Sequence, residues 1–329
     1  MDINFYKLEE LNKSQIINLM KRSEDDFHHI YDKVKEVIQN IKINGDDAII
    51  NFSREFDNIE IKIQNLKVTQ NEFNKAIKLI DPEMKKVLEF CSENVRQFHL
   101  AQMPKKKWMK EMHPGVLAGE KIEPIDTVAM YVPKGKGSFP SVAMMTSIPA
   151  VVAGVKNPFI ITPPEINGSV DIATLVATEI TGIKNVYKCG GAQAIAAVAF
   201  GTKTIPKCNK VVGPGGLWVS AAKQLLSNTI DTGIPAGPSE AIILADTTSN
   251  GKLVALDLLI ESEHGPDSSA FLITNSSKVV EEALSFIPTC WKQMSKERVK
   301  FSSEVLNGPR GGIILVEDFN QAIDFTNKY

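Results

Sequence analysis

At 329 residues, 43% of them hydrophobic, the chain is longer than one hydrophobic core usually supports, which predicts two domains. Its 37 basic and 39 acidic side chains leave a formal net charge of -2, so a broad nucleic-acid-binding surface is excluded, and no apolar run reaches the ~18 residues of a membrane helix. The four cysteines form no CxxC pair, which argues against a disulfide framework or a thiolate zinc site and indicates a cytoplasmic protein.

The first 122 residues have a polar, helical pattern. Residues 1–30 are predicted to form an N-terminal helical arm. Beyond it, apolar residues at helical spacing and a proline suited to a first turn predict three helices, over Asp32–Asn44, Ala48–Phe56 and Pro82–His99. The lysines at 105–107 predict a solvated connection rather than a phosphate groove.

From about residue 123 the pattern changes to short apolar strands that alternate with helices. The predicted strands cover Thr127–Val132, Phe159–Thr162, Asn185–Cys189, Lys210–Val212, Ala241–Ala245, Ala270–Thr274 and Gly312–Val316. This alternation is typical of parallel sheets that are covered by helices on both faces. We therefore predict an α/β fold of two doubly wound parallel-sheet domains, with a break near Ala236-Gly237-Pro238.

Three glycine-bearing loops follow predicted strands of the first series. They are Tyr131–Ser141, Cys189–Gln193 and Gly213–Gly216. Ligands of parallel sheets bind beyond the carboxyl ends of the strands, and the amide groups of a helix N-terminus suit a phosphate. The loops therefore favour a nucleotide site. The alternative is the ordinary turn chemistry of strand-to-helix connections, and no GxGxxG fingerprint is present.

An acid and a histidine lie at the end of a predicted apolar helix. Glu261 and His264 are three residues apart and share one helix face, and Gly265-Pro266 ends the helix just beyond them. This arrangement presents two metal or substrate ligands. The alternative is a histidine that interacts with the dipole of the helix C-terminus.

Six motifs in the same order make the chain similar to the histidinol dehydrogenase family. They are Gly45-Asp46-Asp47-Ala48 with Phe56-Asp57, the 131–141 loop, and residues 190–197, 212–215, 236–240 and 263–267. The resemblance implies two incomplete Rossmann-like domains in an intertwined homodimer. We assign residues 31–122 and 236–329 to the domain with the zinc and substrate site, and residues 123–235 to the NAD domain.

The resemblance implies NAD-dependent oxidation of L-histidinol through L-histidinal to L-histidine, the final steps of histidine biosynthesis. The positions implied to contact NAD are Tyr131, Gln193 and Gly216. Those implied to contact the substrate are Ser239, Glu261 and His264, and the last two also supply zinc ligands. Zinc would orient the substrate through its amino and imidazole groups.

Three positions depart from the family pattern. Glu261 stands where a glutamine is usual, which adds a negative charge beside the metal. Gly216 replaces an asparagine, which removes a hydrogen bond of about 1 kcal/mol. Lys134 replaces a glycine, and it either pairs with cofactor phosphate or is solvated.

The resemblance places the family's catalytic Glu-His pair and its remaining zinc ligands after Tyr329, so we assign no catalytic residue within the chain. We expect weak self-association, because the exchanged tail of the family dimer is absent. Three hypotheses follow: the greater part of a histidinol dehydrogenase, a nucleotide-binding relative that is catalytically incomplete, and a dehydrogenase of another polar alcohol.

Overall fold

Two parallel sheets organise the chain. The computed structural model describes residues 3–21, 30–134, 137–234 and 238–329. The described residues form a terminal unit, made of residues 3–21 and 238–329, and a central unit, made of residues 30–134 and 137–234. Of the predicted break at Ala236-Gly237-Pro238, the first two residues lie outside the described part of the chain.

The elements follow in chain order. The chain starts with β1 (Phe5–Lys7) and α1 (Lys13–Leu19). The central unit contains α2 (Tyr31–Asn44), α3 (Asp46–Asp57), α4 (Gln70–Leu79), α5 (Pro82–Ala101), β2 (Lys107–His113), β3 (Val116–Lys121), β4 (Thr127–Tyr131), α6 (Pro140–Val152), β5 (Asn157–Thr162), α7 (Ile172–Thr181), β6 (Val186–Lys188), α8 (Gly191–Phe200), β7 (Lys210–Val212) and α9 (Leu217–Leu226). The terminal unit continues with β8 (Glu240–Ala245), α10 (Gly251–Ser262), β9 (Ser269–Thr274), α11 (Ser277–Trp291), α12 (Lys296–Leu306), β10 (Gly311–Leu315) and α13 (Phe319–Lys328).

The sheet of the central unit has the strand order β6-β5-β4-β7, and all its pairings are parallel. Successive side chains of β4 point to opposite faces. Ala129 and Tyr131 pack with α2, α3, α8 and α9, whereas Val128 and Met130 pack with α4, α5, α6 and α7. Both faces are therefore covered by helices, which confirms the predicted α/β fold.

The terminal unit repeats this design with the strand order β1-β10-β9-β8, again all parallel. Leu272 and Ile313 pack beneath α10, α11 and α12, whereas Phe271 and Ile314 pack with α1 and α13. Every residue of β9 is buried. Its near-continuous apolar run is typical of a parallel strand that is covered on both faces.

The predicted N-terminal helical arm is wrong for residues 5–7, which form β1 and pair with β10 through Phe5 and Ile313. A three-residue strand shows no periodicity, and its partner lies about three hundred residues away in the sequence, so local pattern cannot reveal it. Residues 13–19 are helical, and Asn12 and Gln15 cap that helix reciprocally. Residues 22–29 of the predicted arm lie outside the described residues.

The predicted grouping of residues 31–122 with residues 236–329 also needs correction. Val34, Val37 and Ile41 of α2 pack in the same core as Ile161 of β5 and Ile195 of α8. Helix α5 packs against α6 and α7. These helices therefore belong to the central unit. The amphipathic pattern of these helices predicts that one face of each is buried, but it does not predict which sheet that face packs against.

Strands β2 and β3 form an antiparallel hairpin whose residues are all exposed. Residues 105–107 are exposed, and Lys107 is the first residue of the hairpin, which confirms the predicted solvated segment. The hairpin itself is not evident from the sequence. Within the described ranges, no helix is long and apolar enough to cross a membrane.

Two isoleucines of α2 provide a matched test of this core. Ile41 is 1% exposed, so Ile41→Ala should lower the free energy of unfolding by about 2–5 kcal/mol. Ile43 is 68% exposed on the same helix, so Ile43→Ala should change that free energy by less than about 0.5 kcal/mol. Chemical denaturation followed by circular dichroism measures both. Equal losses in the two variants would contradict the placement of α2.

Candidate functional site

Two cavities lie at the carboxyl ends of the strands in the central unit. One, of about 330 Å³, is lined by Asp57, Ile59, Tyr131, Lys134, Pro163, Pro164, Ile166, Gly191, Gly216, Trp218 and Val219. The other, of about 450 Å³, is lined by Lys33, Val37, Glu55, Phe56, Asp57, Gly191, Ala192, Gln193 and Trp218. They adjoin, because three lining residues are shared.

Sheet topology explains why the cavities form there. From β4 the chain proceeds outward through β5 to β6, and it then returns to place β7 on the other side of β4. Strand order reverses at β4, and the connections leave in opposite directions from it. Such a switch point opens a crevice beyond the strand ends. The predicted rim of glycine-bearing loops surrounds this crevice, although Gly135 and Lys136 of the first loop lie outside the described residues.

Tyr131 lies at the centre of the rim. It is buried, and its hydroxyl oxygen accepts a hydrogen bond from the backbone N–H of Gly191 at 3.2 Å. Burial raises the pKa of the Tyr131 hydroxyl well above its ordinary value of 10. The side chain therefore stays neutral, and it ties the end of β4 to the first turn of α8.

The turn into α8 requires two glycines. A Cβ on Gly190 would lie 2.6 Å from Pro163 Cγ, and a Cβ on Gly191 would lie 2.6 Å from Gln193 Oε1. Gly191 also has a positive φ of 61°. Gln193 follows in the first turn and is 2% exposed. The predicted NAD residue Gln193 therefore lines one cavity, and Tyr131 lines the adjoining one.

The loop before α9 is packed just as closely. A Cβ on Gly213 would lie 2.1 Å from the carbonyl oxygen of Tyr131, and one on Gly215 would lie 2.3 Å from Val219 Cγ1. Gly216 differs, because a Cβ there would meet no atom within 4 Å. The position that departs from the family asparagine thus has room for a side chain at the edge of the cavity.

Helices α8 and α9 both begin at this rim. Their N-caps are Gly190 and Gly216, and neither cap offers a side chain to the amide groups of the first turn. The N–H of Gly191 already donates to the Tyr131 hydroxyl, but the other amide groups of a first turn and the positive end of the helix dipole favour an anion. The residues present therefore fit a phosphate-bearing ligand.

Lys223 on α9 supports the loop and was not identified from the sequence. Its side chain is buried, and Nζ donates a hydrogen bond to the carbonyl oxygen of Gly213 at 2.5 Å. Burial lowers the pKa of Lys223 from 10.5 to about 8. The available signal was a lysine within an alanine-rich helical face that is otherwise apolar.

Lys134, which replaces a glycine of the family, is neither fully solvated nor without a protein partner. Its Nζ donates to the carbonyl oxygen of Pro164 at 2.9 Å and lies 3.1 Å from Glu165 Oε2. The lysine lines the smaller cavity, but protein oxygens already bind its charge.

The predicted metal and substrate residues belong to the terminal unit. Helix α10 ends at Ser262, earlier than the end predicted at Gly265-Pro266, so Glu261 lies in its last turn and His264 lies just beyond it rather than on the same helix face. His264 Nδ1 lies 3.3 Å from the carbonyl oxygen of Glu261 and 3.6 Å from its Oε2, and both side chains are partly exposed. Ser239 precedes β8, and its carbonyl oxygen accepts a hydrogen bond from the N–H of Ser269 at 2.8 Å.

The chemistry of the Glu261 and His264 pair fits part of a zinc site. An imidazole nitrogen and a carboxylate oxygen are both ordinary zinc ligands, and the two converge at the end of one helix. Among the described residues no group of three histidine, cysteine or acidic side chains is arranged to hold a metal ion. Two side chains are fewer than the three or four protein ligands that a zinc site usually has.

Comparisons with known proteins agree with this geometry. The sequence model of the histidinol dehydrogenase family matches residues 20–329. A histidinol dehydrogenase homolog of Colwellia psychrerythraea is 52% identical over 99% of this chain and 73% of its own length. Histidinol dehydrogenase of Synechocystis is 45% identical over 98% and 74%. The crystal structure of histidinol dehydrogenase from Elizabethkingia anophelis has a TM-score of 0.89 at 33% identity and covers 99% of this chain and 73% of that one.

Fold and cavities together define a Rossmann-like α/β protein with two adjoining cavities at the switch point of its central sheet. The chain belongs to the histidinol dehydrogenase family. The membership predicted from six motifs is thereby confirmed. It places the protein among oxidoreductases and implies a role in histidine biosynthesis.

Lys223 gives the central unit a specific dependence on pH. Between about pH 8 and pH 10.5 an unfolded lysine still binds a proton that the folded chain has released. Lys223 therefore contributes stability that rises with pH across this window. The free energy of unfolding should rise less between pH 7 and pH 10 in Lys223→Met than in the wild type, by about 2–3 kcal/mol.

Urea denaturation of both proteins at pH 7 and pH 10 measures the difference. Lys203→Met, which removes an exposed lysine of the same unit, controls for the loss of one amine. Identical pH slopes for the wild type and Lys223→Met would contradict the buried amine.

Proposed function

We propose that the chain binds NAD at the two adjoining cavities of the central unit and oxidises L-histidinol through L-histidinal to L-histidine. Family membership supports the reaction. The observation that carries the site is the meeting of Tyr131, Gln193 and Gly216 around adjoining cavities at the strand ends. An extended dinucleotide requires adjoining subsites of this kind.

Each of these residues has a physical role in the proposal. The neutral hydroxyl of Tyr131 donates a hydrogen bond to the cofactor while its oxygen remains tied to Gly191. The buried amide of Gln193 offers both a donor and an acceptor. The absence of a side chain at Gly216 leaves the N-terminus of α9 open to phosphate. NAD, when bound, would accept the hydride that leaves the alcohol carbon, and a second NAD would accept the hydride that leaves the hydrated aldehyde, whose added oxygen comes from water.

Glu261 and His264 would hold zinc and the substrate, with Ser239 also on the substrate side. Zinc, when bound, orients the alcohol and polarises its oxygen. A zinc site of this kind takes three or four protein ligands, so one or two more would be needed. We assign the acid/base role to none of the described residues. The working form in this proposal is a cytoplasmic homodimer, as the resemblance implies.

A second candidate is a dehydrogenase of another small polar alcohol. Glu261 adds a charge on the substrate side. Four relatives with 50–52% identity bear the name histidinol dehydrogenase homolog, whereas the relatives from Synechocystis and Methanothermobacter that are named histidinol dehydrogenase are 45% and 38% identical. The substrate is therefore tested directly rather than taken from the family name.

The test is NADH formation, followed by absorbance, with zinc and either L-histidinol or a panel of small polar alcohols. The chain is assayed alone and after mixing with the C-terminal segment of a full-length relative. Turnover of L-histidinol after mixing supports the proposal, and turnover of a different alcohol supports the second candidate. NAD binding without turnover in any mixture would instead indicate a catalytically incomplete relative.

His264→Ala should raise the dissociation constant for zinc at least about tenfold, because one of two identified ligands is lost. The free energy of unfolding of the metal-free protein should change by less than about 1 kcal/mol, since the side chain is 44% exposed. Competition with a chromogenic chelator measures the first value and denaturation the second.

His113→Ala, which removes an exposed histidine of the hairpin, is the matched control and should leave zinc affinity unchanged. A large loss of metal-free stability in His264→Ala with unaltered zinc affinity would show that His264 serves the helix end instead.

A further inference from the structure

Asp57 is the last residue of α3 and lines both cavities of the central unit. The described residues donate no hydrogen bond to its carboxylate. Desolvation raises the pKa of Asp57, while the Lys134 ammonium opposes that rise. The group is therefore a partly desolvated carboxylate whose acceptor capacity the fold does not use.

Its location is unfavourable for the fold itself. The carbonyl groups at a helix C-terminus repel an anion, and acidic residues there reduce helix stability by a few tenths of a kcal/mol or more. The helix end is nevertheless fixed. Asn58 caps it in the left-handed conformation, with φ of 54°, and the N–H of Ile59 donates to the carbonyl oxygen of Ser53 at 3.0 Å. The backbone that carries Asp57 is thus fixed where the two cavities meet.

Trp218 lines the same two cavities and is 39% exposed. An indole face offers a stacking surface for a planar base. A carboxylate close to such a surface suits the vicinal hydroxyls of a ribose, because its oxygens accept from both of them. The two residues together favour an adenosine.

We propose that Asp57 accepts hydrogen bonds from the 2′ and 3′ hydroxyls of the adenosine ribose of NAD, and that it thereby excludes a 2′-phosphorylated dinucleotide. This inference rests on the proposed function, since it assumes a dinucleotide in these cavities. A phosphate at the 2′ position would remove one donor and bring a second anion against the carboxylate. Lys134 offsets this repulsion only in part, because Glu165 and the carbonyl oxygen of Pro164 already bind its ammonium.

Titration calorimetry of NAD and NADP with the whole chain tests the inference without any need for turnover. The wild type should bind NAD at least about tenfold more tightly than NADP. Asp57→Asn should weaken NAD binding about tenfold and reduce the preference for NAD over NADP at least about tenfold. Asp47→Asn, which neutralises an exposed acid at the other end of the same helix, should leave both affinities unchanged.

The outcomes separate the inference from the proposed function. Tight NAD binding by the wild type with unaltered affinities in Asp57→Asn would overturn the inference alone. Weaker NAD binding with an unchanged preference would overturn the exclusion of the 2′-phosphate. A wild-type chain that binds neither dinucleotide would overturn the site of the proposed function together with the inference. Circular dichroism and melting of each variant establish that a lost affinity is not lost folding.

Discussion

The reversal of strand order at β4 is the constraint on which the central unit depends. Because β5 and β7 pair on opposite sides of β4, the loops that follow these strands diverge and leave a crevice at the end of Tyr131. The backbone then approaches Tyr131 too closely for any residue but glycine at 213. The hydrogen bond from the Gly191 N–H to the Tyr131 hydroxyl holds the start of α8 at the crevice. Ligand space here is a consequence of chain topology, and the surrounding glycines keep it open.

Two lysines near the crevice are held by hydrogen bonds and an ion pair within the protein. Lys223 holds the carbonyl of Gly213 from within α9, and Lys134 is held by Glu165. The ammonium groups of both lysines are bound by oxygen atoms of the protein. Asp57 is different, since no described residue donates a hydrogen bond to its carboxylate, and it lines both cavities. The terminal unit presents Glu261 and His264 in a simpler way, at the end of a single helix where side chains three residues apart converge.

Much of this architecture was predictable because parallel strands are buried on both faces. The runs at Thr127–Val132 and Ala270–Thr274 are apolar throughout, and they match β4 and β9 closely. The loops with Tyr131 and Gly216 were predictable as a common rim, because parallel strands end at the same edge of a sheet. The closeness of Glu261 and His264 was predictable from their separation by three residues at a helix end, whereas a ligand role for them was implied only by the family resemblance.

Other features depend on contacts between distant residues. The strand at Phe5–Lys7 forms only through its pairing with β10. Helix α2 belongs to the central unit because it packs in the same core as α8. Lys223 could be identified only once its helix was seen to face the carbonyl of Gly213. The sequence analysis includes Asp57 only within a family motif, because nothing local distinguishes a carboxylate that lines a cavity from one that is solvated.

The most direct test of the account is hydrogen exchange of the backbone amides, compared with and without NAD. Binding at the switch point should slow exchange at residues 190–193 and 213–217, and little elsewhere in the central unit, because Gly191, Ala192, Gln193 and Gly216 line the two cavities. Slowed exchange confined to other segments, or no change at saturating NAD, would contradict a dinucleotide site at the end of β4.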